Sequence, residues 1–144
     1  MANPRGVLAI DHGTKRAGFA VVDALRIAPL PLAAWRGTGG EPALLERIAQ
    51  LLDERDVGTF LVGLPLDMQG GEGARAKEVR AFAERLSARF PGLDVVFHDE
   101  RLSTKAAEEL LRETDFSVEE RRARRDSVSA LVILRDWIAA GEPR

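Results

Sequence analysis

The sequence predicts an α/β fold, a mixed five-stranded sheet with helices on both faces. Three observations carry this. Short apolar runs of strand length alternate with apolar stripes at helical spacing, in the order βββαβαβαα. The first two runs are joined only by Gly13-Thr14-Lys15-Arg16, a link that implies an antiparallel hairpin. The fourth and fifth runs are each entered through a helix, which by right-handed crossover returns a strand parallel to the first.

Taken in order, residues 5–11 read as a buried strand and residues 17–23 as its hairpin partner. Residues 30–35 read as a third strand, and Pro29 and Pro31 suggest a sheet edge, where a missing N–H is tolerated. Leu44, Leu45, Ile48, Leu51 and Leu52 mark a helix closed by Arg55 and Gly58. Residues 59–62 form a short buried strand, and 65–74, with Gly70, Gly71 and Gly73, a mobile loop. Val79, Phe82, Ala83, Leu86 and Phe90 mark a helix over about 73–90, stopped by Pro91-Gly92. Residues 93–97 are the last strand. Ser103 or Thr104 can cap a helix running to about Glu113. A link through Phe116 and Ser117 leads to a basic segment and a closing helix over 126–140.

The chain has 144 residues, read as one domain over 1–144, with 45% apolar and 31% charged residues. No apolar stretch approaches the roughly 18–20 residues that span a bilayer, so no membrane partner is expected. Met1-Ala2-Asn3-Pro4-Arg5 lacks the apolar core of a signal peptide. The absence of cysteine excludes a thiolate nucleophile and a cysteine-type zinc site, and it permits the simple reading of a cytoplasmic protein.

Three acids stand where solvated charges are unusual. Asp11 ends the run Val7-Leu8-Ala9-Ile10, and Glu100 follows Val95-Val96-Phe97 within His98-Asp99-Glu100-Arg101. Asp126 opens the closing helix, directly after Arg121-Arg122-Ala123-Arg124-Arg125. Carboxylates at the tips of buried strands lose hydration and need compensation. Asp11 and Glu100 end parallel strands, hence share one rim, the place where open α/β sheets bind ligands. Residues 126, 130, 133 and 137 lie on one helical face, and Ser127, Ser129 and Ala130 are small enough for close approach to the sheet. Asp126 would then hang over the rim beside Asp11. Acids so gathered repel one another and suit a hard divalent cation. Singly, each has an ordinary structural role open to it: a turn acceptor, an ion-pair partner, or a helix N-cap.

The net charge is −2, yet basic residues flank each acid: Lys15 and Arg16, Arg101, and the four arginines of 121–125. Arg75, Lys77 and Arg80 lie on the helix fed by the glycine-rich loop. That loop matches no nucleotide-binding fingerprint.

The words Asp11-His12-Gly13-Thr14-Lys15-Arg16-Ala17-Gly18, Gly63-Leu64-Pro65, Asp99-Glu100-Arg101-Leu102-Ser103-Thr104 and Asp126-Ser127-Val128-Ser129-Ala130 closely resemble the YqgF/RuvX family. The resemblance spans Ala9 to Leu134. It implies a ribonuclease-H-like fold and a nuclease, either one maturing the 5′ end of pre-16S rRNA or a Holliday-junction resolvase. It implies Asp11, Glu100 and Asp126 as catalytic residues and as ligands of two Mg2+ or Mn2+ ions about 4 Å apart. Asp11 would bridge the ions, Glu100 hold the one that activates water, and Asp126 the one at the leaving oxygen; the last two could be exchanged. Lys15, Arg16, Arg75, Arg101, Arg121, Arg122, Arg124 and Arg125 are the candidate nucleic-acid contacts. His12 departs from the family's usual apolar or aromatic residue, and Asp67 and Gln69 depart from its commoner loop word. His12 and His98 are expected to pack or support.

The alternatives are a non-enzymatic nucleic-acid binder and a nucleotide-binding ATPase, the latter expected in a much longer, two-lobed chain. Whether action is endo- or exonucleolytic is open. No stacking platform is expected: there is no tyrosine, and Trp35 and Trp137 are read as packed. RNA is favoured over branched DNA, and a monomer or weak dimer over a tight one, because every helical stripe is used by the sheet.

Overall fold

The computed structural model describes residues 5–100, 109, 112 and 116–144. Strands β1 (Gly6–His12), β2 (Arg16–Val22) and β3 (Leu30–Arg36) precede α1 (Gly40–Asp53), β4 (Val57–Leu64), α2 (Ala74–Arg89) and β5 (Asp94–Asp99). After the undescribed segment come α3 (Val118–Arg124), a 3-10 turn (Arg125–Ser127) and α4 (Val128–Ala139). The helix expected from Ser103 or Thr104 to Glu113 falls almost wholly outside the described residues, though Glu109 and Arg112 are helical. Arg101 also lies outside them.

The sheet order is β3-β2-β1-β4-β5. β1 pairs antiparallel with β2, β2 antiparallel with β3, and β4 runs parallel to both β1 and β5. β3 is the edge, as its prolines imply. The β1–β2 turn is tight: a Cβ on Gly13 would stand 2.4 Å from the Arg16 carbonyl oxygen.

Alternation along β1 sorts the core into two layers. Leu8 and Ile10 pack with Phe60, Val62, Leu44, Ile48, Val79 and Phe82 under α1 and α2. Val7 and Ala9 pack with Leu61, Ala130, Ile133 and Trp137 under α4. Asp11 therefore belongs to the α4 face and His12 to the α1–α2 face, where its ring stacks on Phe82 with centroids 4.2 Å apart.

Several element ends differ slightly from expectation, and two of these differences bear on the site. β4 reaches Leu64 because its ladder to β5 continues through Gly63↔His98 and Leu64↔Asp99. The closing helix does not begin at Asp126. Residues 121–124 already belong to α3, whose start is fixed by a Ser117/Glu120 capping box, and Asp126 sits in the 3-10 turn linking α3 to α4.

Candidate active site

Asp11 lies beside the tip of β4, and Glu100 follows β5 on the other side of that strand. The Glu100 N–H donates to the Leu64 carbonyl at 3.0 Å, which extends the β4–β5 pairing to the site. Between the acids is Gly63. A Cβ there would stand 2.7 Å from Ile133 Cδ1 and 3.0 Å from Glu100 Oε2. The missing side chain thus leaves the space in which Glu100 crosses β4 toward Asp11. The two carboxyl groups stand within hydrogen-bonding reach of each other, a contact that two carboxylates can make only if one of them keeps a proton. Burial, then the hydrogen bond and charge of Asp11, push Glu100 up to about 9, against the opposing charge of Arg75.

Asp126 is on the facing wall of the same cleft. Gly18 brings it there: a Cβ on Gly18 would lie 2.0 Å from the Asp126 carbonyl oxygen. Next to it, buried Ser127 accepts the Phe19 N–H at 2.9 Å through Oγ, pinning the turn to β2. The Asp126 carboxylate faces two arginines, Arg16 Nη1 at 3.4 Å from Oδ1 and Arg36 Nη2 at 3.5 Å from Oδ2. Arg16 and Arg36 are direct cross-strand partners on β2 and β3, a like-charge pairing that costs stability unless an anion is shared. Oδ2 is buried, and among the described residues it has the Arg36 ion pair but no hydrogen-bond donor.

Of the three expected acids, then, Asp11 and Glu100 are in contact, while Asp126 lines the cleft but is engaged by arginines. Among the described residues no group of three acids or histidines is gathered closely enough to hold a metal. The donor set still suits a hard cation. Asp11 and Asp126 line one cavity, half-buried Glu100 stands against Asp11, and one Asp126 oxygen is buried with no hydrogen bond from the described residues.

That cavity holds about 1020 Å³ and is lined by Lys15, Arg16, Arg75, Arg112, Arg121 and Arg125 besides Asp11 and Asp126. Arg75 reaches in from the start of α2, donating to the His12 carbonyl and pairing with Glu78 at 2.9 Å. Burial, then the charge of Arg75, lower His12 to about 4, so it is neutral at pH 7. Arg122 is exposed and does not line the cleft. Arg124 is turned inward: its Nε donates to the Pro31 carbonyl at 3.2 Å and its guanidinium lies 4.6 Å over the Phe116 ring. His98 bonds Asp136 of α4 at 2.6 Å, tying β5 to that helix. Sequence reasoning missed Arg36 and Arg112. The signal for Arg36 was its place at the end of the third strand, opposite Arg16; nothing marked Arg112.

The profile of the RuvX family, described as a Holliday junction resolvase, matches residues 5–140. This chain belongs to the RuvX family. A relative from Anaeromyxobacter sp. (strain Fw109-5), named "Putative pre-16S rRNA nuclease", is 48% identical over 91% of this chain and 94% of its own. A Myxococcus xanthus (strain DK1622) protein of the same name is 40% identical over 94% of this chain and 89% of its own. Among solved structures, RuvC from T. thermophilus in complex with a Holliday junction substrate superposes with a TM-score of 0.56 at 17% identity, covering 96% of this chain and 97% of that one. At that identity the likeness speaks for the fold. The RuvX chain has the expected ribonuclease-H-like architecture, a mixed five-stranded sheet with helices on both faces.

Proposed function

We propose that this protein is a divalent-metal-dependent nuclease that hydrolyses phosphodiester bonds in the 5′-end processing of pre-16S rRNA. One observation carries the reading: Asp11, with Glu100 beside it at a strand rim, opens into a cleft walled by six cationic side chains. Asp11 and Glu100 are the residues that would hold Mg2+ or Mn2+, with Asp126 as the third donor from the facing wall. A bound ion supplies a water of lowered pKa and neutralises charge on the scissile phosphate. The chain's own part is to position the strand. Lys15, Arg16, Arg112, Arg121 and Arg125 attract and align phosphates, and Arg75 fixes the peptide that follows Asp11. Arg122, exposed outside the cleft, remains a candidate contact, and Arg101 remains one on its sequence position alone.

RNA as substrate is supported by the names of the curated relatives. Junction resolution is the second reading, favoured by the description of the family. It needs two sites in a fixed two-fold arrangement, hence a stable dimer. The stripes of α1, α2 and α4 are buried on the sheet, which supports a monomer or weak dimer, although the β2–β3 connection exposes Leu25 and Ile27, and the start of β3 exposes Leu30. No described helix is long and apolar enough to cross a membrane. A cytoplasmic location is part of the proposal.

Cleavage products should be mapped on precursor rRNA beside a mobile four-way junction, each with Mg2+ or Mn2+. Metal-dependent cuts in the flanking RNA, lost in Asp11→Asn, are expected. A tight dimer nicking opposed junction strands symmetrically would overturn the RNA assignment. Binding of both substrates without cleavage would leave only a nucleic-acid binder.

A further inference from the structure

Because Asp11 and His12 project to opposite faces, the tip of the β1–β2 hairpin has a cavity on each side. One is the basic cleft. The other is a groove of about 310 Å³ between the hairpin, α1 and α2. His12, Gly13 and Thr14 line both, so the hairpin tip is a wall common to the two. The volume is at the lower end of the roughly 300–1,000 Å³ typical of small-molecule pockets.

We propose that this groove is a nucleobase subsite, taking one unstacked base of the strand whose phosphates occupy the basic cleft. The inference rests on the nucleic-acid reading above and narrows its substrate to a strand with an unpaired nucleotide at the site. Trp35, expected to be packed, is only partly buried and lines the groove with Leu44 and Ala81. These give a large aromatic face and apolar sides, the surface on which any base can stack. The His12 ring, held by Phe82, completes one side. The polar end is the ion pair of Glu41 with Arg85, a two-point contact at 2.6 and 2.8 Å. It satisfies both charges and leaves carboxylate lone pairs to accept base N–H groups.

The charge pattern separates the cavities. Six cations line the cleft, whereas the groove sets Glu41 and Glu78 against Arg85 and neutral surface. Phosphates prefer the first and bases the second. A base held in a duplex is stacked and paired and cannot enter, whereas one from a single strand can turn over the hairpin tip.

Binding of a labelled short oligouridine without divalent metal, measured against the same backbone lacking its bases, tests the proposal. Trp137 is fully buried with its indole N–H on the Pro143 carbonyl, so a change of tryptophan emission on binding reports Trp35. Emission should change in the wild type and not in Trp35→Phe. Trp35→Ala should weaken binding of the intact oligomer about ten-fold, the scale of one base–aromatic stack, and Trp35→Phe much less. The preference for intact over base-free strand should shrink by the same factor in Trp35→Ala. If the oligomer binds with Trp35 emission and base preference unchanged, the subsite is overturned while the nucleic-acid reading stands. If neither oligomer binds the wild type, that reading falls and the subsite with it.

Discussion

Gly18 and Asp126 touch through their backbones: a Cβ at residue 18 would stand 2.0 Å from the Asp126 carbonyl oxygen and 2.8 Å from Ser127 Cα. Strand β2 thereby sets how closely the 3-10 turn, and the carboxylate on it, approaches the rim. Gly18→Ala should push the turn outward, costing about 1–3 kcal/mol as overpacking usually does. Cleavage should fall even where the variant remains folded. Urea unfolding and turnover together decide this, and a variant that matches wild type in both would show the close approach to be immaterial.

Asp11→Asn, Glu100→Gln and Asp126→Asn are each expected to lower cleavage about a hundredfold or more, a loss of about 2.7 kcal/mol at the transition state. The metal-free proteins should stay folded. In Asp11→Asn and Glu100→Gln the melting temperature should hold or rise, because an amide N–H can donate to the remaining carboxyl group where the wild-type pair must retain a proton to make that contact. Saturating Mn2+ should stabilise the wild type, by about 2.7 kcal/mol at a hundredfold excess over its dissociation constant, and not Asp11→Asn. Equal shifts in both proteins would indicate a non-specific ion effect. Substantial activity in Asp126→Asn would remove that residue from the site.

The metal-free protein should show two opposed pH dependences. Glu100 is raised to about 9 from an ordinary 4.5, so the folded state holds more protons than the unfolded one between these values. Its contribution is full below about 4.5 and is lost as pH rises toward 9. His12 is depressed to about 4 from 6.5, so its contribution is present above 6.5 and lost as pH falls toward 4. Stability measured by urea titration at stepped pH should therefore fall on the alkaline side. Glu100→Gln should remove that fall and leave the acid side unchanged. Mn2+ affinity should rise with pH over the same alkaline span, since an ion must displace the shared proton.

The arginines of 121–125 should separate into two kinds. Neutralising Arg121 and Arg125 should weaken binding of all sequences alike and flatten its salt dependence, by about 0.7–0.9 in log–log slope for each phosphate no longer neutralised. Arg124→Ala should leave that slope alone and lower the melting temperature, because it removes the hydrogen bond to Pro31 and the packing on Phe116. Salt titrations and thermal melts of the two variants give the comparison. A flattened slope in Arg124→Ala would show that it swings out to meet phosphate.

The halves of the site differ in how far they can be read from sequence. Asp11 and Glu100 are legible because each ends an apolar run, and parallel strands align such ends. Asp126 is legible as a residue near the rim but not as one held by Arg16 and Arg36. That engagement depends on the β2–β3 register, which shifts between Ala17 and Phe19. The 3-10 turn is hidden because its geometry answers to Gly18, more than a hundred residues away in sequence. Trp35 reads from sequence as packed, and it does pack against the core under α1 and α2, though only partly buried. Its position on the inner face of β3 is readable, but not that the space before α1 and α2 leaves a groove beside it.

Gly63 contributes no atom to chemistry, yet the proposed site exists only because that position is empty of side chain. A single added methyl group could therefore silence the protein with every acid and arginine intact. When genomes are surveyed for this family, inspection of the three acids alone would count such a chain as active. Replacement at the position aligned with residue 63 is the better flag for a member that has turned from cutting nucleic acid to some other use.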